Sequence, residues 1–315
     1  MILDMCLAMI VAITIAIIAG KVLIPLLHEL KFGQTVREEG PKSHVKKNGT
    51  PTMGGIIFIL AIVVGSLLYV DIDLKSQYPM IALVLFSLVG FADDFLKIKR
   101  GKNLGLTAKQ KMILLFIVSF TLSLIGQKIF GTEMYMPFVR KTIDLGMIYI
   151  PFMIFVYIGA SNAVNLTDGL DGLASSVTVF VLLFLGIIAN SFGFSNQVMF
   201  AVVSIGALIG FLFFNINPAK VFMGDTGSLG LGGMVVAMTV QMSMPLILML
   251  VGIIYIVETM SVILQVISFK TTGKRIFKMS PIHHHYEMCG LSENKIVMLF
   301  SAITIVFGIL AVFSI

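Results

Sequence analysis

Charged residues are scarce in this sequence. Lys, Arg, Asp and Glu make up 12% of the 315 residues, whereas 58% are hydrophobic and the mean hydropathy is +1.03. A soluble chain of this length does not reach such values, because polar side chains must cover its surface. The composition therefore excludes a soluble globular protein and indicates a polytopic membrane protein.

Cysteine is nearly missing, and two common binding motifs are missing altogether. Of the two cysteines, Cys6 lies in the first apolar run and Cys289 in the last basic loop. The topology predicted below puts them on opposite sides of the membrane, so we expect no disulfide between them. The sequence contains neither a G-x-x-x-x-G-K-[ST] segment nor an EF-hand spacing, which excludes a P-loop and an EF-hand calcium site.

Long apolar runs are abundant. A membrane-spanning helix needs roughly 17–25 apolar residues, and about ten runs meet this requirement. We predict an all-α fold, a polytopic integral membrane protein with about ten transmembrane helices. The expected helices cover residues 3–27, 53–70, 79–96, 110–128, 147–164, 172–190, 197–215, 228–244, 246–269 and 295–315.

Lysine and arginine are concentrated in every second connection between the predicted helices. The opposite connections carry only Lys75, Lys128, Arg140 and Lys141. By the positive-inside rule the basic loops are cytoplasmic, so both termini are extracytoplasmic. External residues 131–146 could form a short hairpin. The cytoplasmic loops comprise residues 28–52, 93–111, 165–172, 215–228 and 270–295.

Two carboxylates lie in a short segment between two apolar runs. The segment is residues 165–172, Asn-Leu-Thr-Asp-Gly-Leu-Asp-Gly. If the turn is helical, the i, i+3 spacing puts Asp168 and Asp171 on one face. Two such side chains can hold Mg²⁺ or bind the hydroxyls of a sugar. The alternative is a helix N-cap followed by a first-turn carboxylate, which explains one of them better than both.

Adjacent aspartates, Asp93 and Asp94, stand at the end of the third apolar run. They repel each other, and the macrodipole at a helix C-terminus also disfavours anions. A cation should compensate them, and Mg²⁺, Lys97 and Lys109 are the candidates. One aspartate could then act as a base. The alternative is an interfacial pair that lysine merely neutralises.

Two glycine-rich loops could approach an anionic ligand. Residues 39–55 offer cations and backbone N–H groups, although their charge could serve topology alone. Pro218 ends the seventh run, and glycines flank Asp225, a fifth acidic candidate. Phe222 could stack on a base or anchor the loop at the interface.

Polar residues also interrupt the ninth run and follow it. Glu258 and Gln265 lie among apolar residues, and an intramembrane carboxylate usually faces a cavity. An ion-coupled transporter is therefore one alternative. Three consecutive histidines, residues 283–285, do not have zinc-ligand spacing and are better suited to binding phosphate oxygens or positioning a leaving group.

Taken together, these motifs resemble the phospho-N-acetylmuramoyl-pentapeptide-transferases. The resemblance covers essentially all cytoplasmic loops in order, and it rests on residues 39–55, 93–97, 165–172, 222–228 and 281–285. It implies a single transmembrane catalytic domain over residues 1–315, in the inner membrane of a bacterium. The implied reaction transfers phospho-N-acetylmuramoyl-pentapeptide from UDP-MurNAc-pentapeptide to undecaprenyl phosphate, with Mg²⁺, and yields lipid I and UMP.

The resemblance also implies partners and residue roles. The chain would form a homodimer in the lipid bilayer and would bind no nucleic acid. Asp225 would hold Mg²⁺, and Asp93 or Asp94 would activate the lipid phosphate. The implied catalytic set is Asp93, Asp94, Asp168, Asp171, Asp225 and His283. The implied substrate-binding set is Lys47, Thr52, Lys97, Lys109, Asn165, Asn215, Phe222, Gly224, Ser228, Gln265, His284 and His285.

Two rivals stay open at this point. A polyprenyl-phosphate N-acetylhexosamine-1-phosphate transferase would share the acidic motifs, but residues 281–285, Pro-Ile-His-His-His, resemble the muramoyl enzymes. A transporter would be favoured by inverted repeats or broken helices, and the sequence has no clear repeat. Two departures from the family pattern concern loop details: Tyr286 replaces a phenylalanine, and residues 289–291 replace a basic, tryptophan-containing stretch.

Overall fold

The computed structural model describes residues 2–29, 47, 49–100 and 105–315. Most of the predicted loop 28–52, and residues 101–104 of the loop 93–111, lie outside these ranges. The described chain forms twelve α-helices and one hairpin. They are α1 (Ile2–Glu29), α2 (Gly55–Tyr69), α3 (Tyr78–Arg100), α4 (Ala108–Phe130), β1 (Glu133–Met136), β2 (Lys141–Asp144), α5 (Tyr149–Thr167), α6 (Leu173–Ser191), α7 (Ser195–Asn215), α8 (Gly224–Gln241), α9 (Leu248–Val251), α10 (Ile253–Thr272), α11 (Ile282–Met288) and α12 (Glu293–Phe313).

The expected apolar runs correspond to helices of the structure. Seven described helices are long and apolar enough to cross a membrane, namely α1, α4, α5 with the short turn before it, α6, α7, α10 and α12, and α2 is a shorter apolar helix. The prediction of a mostly helical, polytopic membrane protein is thereby confirmed. The number of ten spans and the side of each terminus stay predictions. Both cysteines are free and exposed, as expected.

The prediction of one continuous helix over residues 246–269 is wrong, because this segment is broken into shorter elements. A 3₁₀ turn, Pro245–Ile247, leads into the short α9, and α10 starts only at Ile253. Between them Gly252 has φ −98° and ψ 21°, whereas ψ in an α-helix is near −42°. The helix is therefore interrupted at Gly252, and Glu258 and Gln265 belong to the separate segment α10.

A turn, not a helix, joins α5 to α6. Asp168 follows the last residue of α5 with ψ 42°, and Gly172 is left-handed with φ 75°. The helical arrangement considered for Asp168 and Asp171 is therefore wrong, and the two carboxylates do not share a helical face. We call residues 168–172 the aspartate turn.

Helix α8 lies at the centre of the bundle and is buried along nearly its whole length. Its glycines allow close contact on two sides, since helices in a membrane pack tightly where their residues are small. A β-carbon at Gly230 would lie 2.1 Å from the hydroxyl of Ser87 on α3, and one at Gly232 would lie 2.5 Å from Cα of Ser161 on α5. On α3, a β-carbon at Gly90 would lie 2.0 Å from the carbonyl oxygen of Asp225. The end of α3 is thus held against the start of α8.

The expected hairpin is present, at the opposite end of α8 from Asp225, and its location outside the cell stays a prediction. β1 pairs antiparallel with β2 from Glu133 opposite Asp144 to Met136 opposite Lys141. The Tyr135 amide donates to the carbonyl of Ser243, 2.7 Å away, beyond the end of α8. The Phe138 amide donates to the carbonyl of Ser314, also 2.7 Å away, beyond the end of α12. The hairpin therefore connects the far ends of these two helices.

Gly90→Ala should destabilise the protein, because the new methyl group would overlap the backbone of Asp225. Overpacking of this kind costs about 1–3 kcal/mol, which thermal unfolding in detergent measures as a lower midpoint. The matched control is Gly159→Ala, in α5, where an added β-carbon would have no neighbour within 4 Å. It should leave the midpoint unchanged or raise it, since alanine favours a helix over glycine by up to about 1 kcal/mol. Equal midpoints for both variants would contradict the close contact of α3 and α8.

Candidate active site

Three carboxylates meet where α3 ends and α8 begins. Asp93, Asp94 and Asp225 each offer an oxygen, and the three oxygens lie within 4.8 Å of one another. Asp93 and Asp94 are 3% and 2% exposed. Like charges this close repel strongly where water is scarce. The cluster therefore requires positive charge beside it.

Two lysines provide that charge. Lys97 Nζ lies 2.6 Å from Asp93 Oδ2, 3.1 Å from Asp225 Oδ2 and 3.5 Å from Asp94 Oδ1. It follows Asp93 by four residues on α3 and so points to the same face. Lys111 Nζ, from α4, lies 2.8 Å from Asp225 Oδ2. When all five groups are ionised, three negative and two positive charges leave the cluster one negative charge in excess.

Backbone donors fix the two aspartates of α3. Asp93 Oδ1 accepts a hydrogen bond of 2.7 Å from the Leu106 amide. Asp94 Oδ2 accepts one of 2.9 Å from the Thr226 amide and one of 2.8 Å from the Thr226 hydroxyl. Such bonds hold each carboxylate in one orientation. Because Leu106 lies just before Thr107, the N-cap of α4, the bond from its amide also brings the start of that helix, with Lys111, to the cluster.

Asparagine and glycine complete the surroundings of Asp225. Asn165 Nδ2, on the last turn of α5, donates to Asp225 Oδ1 over 2.9 Å and to Ser228 Oγ over 2.8 Å. Gly224 has φ +73°, and a β-carbon there would lie 2.6 Å from an Asp94 oxygen and 2.8 Å from the Thr52 hydroxyl. Only glycine fits this position. The predicted residues Asn165, Ser228, Gly224 and Thr52 thus surround the acidic cluster.

A second group joins the aspartate turn to α12. Lys47 Nζ lies 2.7 Å from Asp171 Oδ1 and 2.7 Å from Glu293 Oε2. Asp171 Oδ2 accepts hydrogen bonds of 3.0 Å from Asn217 Nδ2 and from the Ala219 amide. Both oxygens of Asp171 are therefore occupied, and Lys47 is held between two carboxylates.

Asp168 differs from its neighbour in the turn. Within the described part of the chain its carboxylate makes no hydrogen bond, and only its backbone amide donates. Burial raises the pKa of this carboxyl well above its ordinary range, and the charges of Asp225, Asp94 and Asp171 add to the rise. Asp168 therefore keeps its proton to a higher pH than an exposed aspartate.

The three histidines have three different surroundings. His283 is fully buried and its Nδ1 lies 2.9 Å from Glu258 Oε1. His284 Nδ1 lies 2.7 Å from Glu287 Oε2. His285 Nδ1 accepts a hydrogen bond of 3.2 Å from the Lys278 amide. The structure thus does not present the histidines as one surface, and His283 is enclosed.

Two further predicted residues use their side chains to hold loops. Asn215, which is 2% exposed, accepts from the Gly172 amide and donates to the Val221 carbonyl. Gln265 accepts from the Ile276 and Phe277 amides and donates to the Phe277 carbonyl. Both amides are engaged within the protein.

Phe222 and Lys109 complete the predicted set. Phe222 is half-buried, and its backbone pairs with the chain ahead of α2: its amide donates to the Pro51 carbonyl and its carbonyl accepts from the Gly54 amide. Lys109 is exposed and forms no ion pair with the described residues. Lys111 is the α4 lysine that reaches the cluster.

Sequence reasoning missed four residues that the site uses: Lys111, Thr226, Glu258 as a partner of histidine, and Glu293. A signal for Lys111 was present, since Thr107 and Gln110 form a capping box that starts α4. Side chains in the first turns of a helix lean back toward its N-terminus. The other contacts join segments far apart in the chain and leave no local pattern.

The chemistry of the donor set fits a hard divalent cation. Carboxylate oxygens are the ligands that Mg²⁺ prefers, and three of them converge from two helices. The neighbouring lysines and amide groups suit phosphate oxygens. The site therefore combines a candidate metal centre with cationic groups for a phosphorylated substrate.

Comparison with known proteins supports this assignment. The family model of glycosyl transferase family 4 matches residues 76–243, a range that contains all five acidic candidates. The phospho-N-acetylmuramoyl-pentapeptide-transferase signature 1 matches residues 47–59.

Named relatives extend the similarity over almost the whole chain. A phospho-N-acetylmuramoyl-pentapeptide-transferase of Clostridium perfringens (strain 13 / Type A) is 56% identical over 307 residues, which is 96% of each chain. One of Clostridium botulinum (strain Eklund 17B / Type B) is 50% identical over 305 residues, 96% of this chain and 94% of the relative. One of Clostridium novyi (strain NT) is 51% identical over 311 residues, 95% and 93%. The chain therefore belongs to the phospho-N-acetylmuramoyl-pentapeptide-transferases, a family of transferases in peptidoglycan synthesis.

Proposed function

We propose that this protein transfers phospho-N-acetylmuramoyl-pentapeptide from UDP-MurNAc-pentapeptide to undecaprenyl phosphate and releases lipid I and UMP. The observation that carries the proposal is the convergence of Asp93, Asp94 and Asp225 with Lys97 and Lys111 at the ends of apolar helices. This arrangement suits a reaction between two phosphorylated substrates, one of them a lipid. The names of the relatives support it.

The charged residues would have different roles in phosphoryl transfer. Asp225, with Asp93 and Asp94 beside it, would hold Mg²⁺, which when bound would polarise the diphosphate of the nucleotide substrate. Lys97 and Lys111 would bind phosphate oxygens and stabilise the charge that develops on them. Asn165 would orient Asp225 through the hydrogen bond of 2.9 Å.

The reaction would proceed by direct attack. Asp93 or Asp94 accepts a proton from the phosphate of undecaprenyl phosphate, and an oxygen of that phosphate attacks the phosphorus bound to the sugar. The bond from that phosphorus to the oxygen of UMP breaks, and UMP leaves with the bonding electrons. No covalent enzyme intermediate is needed, so isolation of a phosphosugar-aspartyl adduct would contradict this route.

The predicted topology places this chemistry on the cytoplasmic face. In the proposal the chain crosses the bacterial inner membrane ten times, both termini are extracytoplasmic, and the active enzyme is a homodimer. The exposed apolar side chains of α10, including Met260, Leu264 and Ile267, are suited to contact with lipid. A membrane-bound lipid substrate would then reach the site without leaving the bilayer.

The first test compares two nucleotide sugars. Purified protein with undecaprenyl phosphate and Mg²⁺ should release UMP from UDP-MurNAc-pentapeptide and not from UDP-GlcNAc, and removal of Mg²⁺ with EDTA should stop the reaction reversibly. Turnover of UDP-GlcNAc alone would indicate an N-acetylhexosamine-1-phosphate transferase. Failure with both substrates would contradict the proposed reaction.

Asp225→Asn should lower kcat by about 100-fold or more, because loss of one preorganised charge at a phosphoryl-transfer site has an effect of this order. UMP release at saturating substrate measures it. Asp144→Asn is the matched control, since Asp144 lies on the hairpin, beyond the far end of α4, a helix of about 35 Å. Equal losses in the two variants would argue against a site at one end of the bundle.

Lys111→Ala should reduce kcat/KM for UDP-MurNAc-pentapeptide by about 10-fold or more, because a charge-assisted hydrogen bond contributes about 1.5–3 kcal/mol. Lys128→Ala, at the opposite end of α4, should match the unsubstituted protein. A wild-type kcat/KM in Lys111→Ala would show that this lysine does not bind the substrate.

A further inference from the structure

Glu258 and His283 form a buried pair beneath the candidate active site. Their side chains are 0% and 1% exposed, and Glu258 Oε1 lies 2.9 Å from His283 Nδ1. The residues come from different helices, α10 and α11. A carboxylate enclosed in an apolar helix is costly unless a partner compensates it. The pair therefore requires an explanation beyond packing.

The hydrogen bond determines where the imidazole carries its proton. An ionised carboxylate can only accept, so His283 Nδ1 must donate. Glu258 Oε2 and His283 Nε2 are both buried and have no hydrogen-bond partner in the described chain. A proton on either atom would leave a buried donor unsatisfied, at a cost of about 1–3 kcal/mol. This reasoning assigns the neutral tautomer protonated at Nδ1.

The other side of the ring lies against the aspartate turn. A β-carbon at Gly169 would lie 2.1 Å from His283 Nε2 and 2.5 Å from its Cε1. The imidazole therefore fills the space that a side chain at residue 169 would occupy. Gly169 directly follows Asp168 and stands two residues before Asp171. The position of the ring thus limits the position of both carboxylates.

The neighbouring histidines cannot replace His283 in this contact. His284 is directed to Glu287, and His285 accepts a hydrogen bond from the Lys278 amide. His283 is the member of the run that packs on Gly169. Because His283 is also enclosed, it acts on the active site through the aspartate turn.

We propose that Glu258 and His283 are positioning residues: Glu258 holds His283 in the Nδ1-protonated tautomer, and the fixed ring holds the aspartate turn in place. The benefit to turnover rests on the proposed function, whereas the tautomer and the position of the turn can be measured without it.

The sequence permits a direct view of the turn. It contains two Asp-Gly pairs, residues 168–169 and 171–172, and both are in the aspartate turn. Protein labelled with ¹³C at the aspartate carbonyl and ¹⁵N at glycine therefore gives two selected amide signals, from Gly169 and Gly172. A second sample with ¹⁵N-histidine reports the tautomer of His283, assigned by its loss in His283→Gln.

The variants separate a hydrogen bond from a structural role. Glu258→Gln keeps an oxygen that accepts from Nδ1, so the tautomer, both glycine signals and kcat should stay closer to wild type than in Glu258→Leu. The NH2 group that replaces the unpartnered Oε2 should lower the unfolding midpoint. Glu258→Leu removes the acceptor, so the His283 nitrogen signals and the Gly169 signal should shift. We expect kcat to fall by about 10–100-fold, by analogy with the loss of a carboxylate that orients a metal-bound histidine. The control, Thr259→Val, alters a hydroxyl that bonds within α10 to the Tyr255 carbonyl and should change none of these.

Several results would overturn the proposal. They are a wild-type His283 protonated at Nε2, equal losses in Glu258→Gln and Glu258→Leu, and an unshifted Gly169 signal in Glu258→Leu. Thermal unfolding of each variant shows whether it is folded. Gly169→Ala, which displaces the ring from the other side, removes the Gly169 signal but should shift the His283 nitrogen signals as Glu258→Leu does. If neither nucleotide sugar is turned over but the spectra behave as expected, the proposed reaction fails and the positioning of the turn stands.

Discussion

Three carboxylates within 4.8 Å of one another, in a largely apolar protein, determine what must surround them. Repulsion between Asp93, Asp94 and Asp225 would separate α3 from α8 if nothing opposed it. Lys97 and Lys111 oppose it with charge, and the Thr226 and Leu106 amides oppose it with hydrogen bonds. Glycines at the contact of the two helices leave the space in which these groups fit. Packing and electrostatics at this point are therefore a single constraint.

The bilayer explains why so much of the fold was readable from the sequence. A spanning segment must satisfy its backbone internally and present apolar side chains to lipid, so helix positions follow from composition. The break at Gly252 and the turn at residues 168–172 were not predictable in this way. Apolar runs on both sides of Gly252 look alike in sequence, and the conformation of the turn depends on Asn215, which belongs to another helix and accepts from the Gly172 amide.

The residues of the site could be predicted from the sequence where they are polar residues among apolar ones. All five aspartates were expected on one face of the membrane. The structure joins Asp93, Asp94 and Asp225, whereas Asp171 pairs with Lys47. Which lysine of α4 would reach them was not decided by residue type, since positions 109 and 111 are both lysine. The direction of α4, set by its capping box and by the Leu106 amide, selects Lys111. Glu293 had no sequence signal, because its partner Lys47 is 246 residues away.

That distance has a consequence for how the protein is made. Synthesis proceeds from the N-terminus at about 5–20 residues per second, so Lys47 emerges long before Asp171, and Glu293 emerges a further 122 residues later. Because Glu293 lies on α12, the contact of Lys47 with both carboxylates can be completed only after that helix has been synthesised. The order of synthesis thus separates the two halves of the site in time: the aspartates of α3 and α8 are all made before Glu293 can join Lys47 to the aspartate turn.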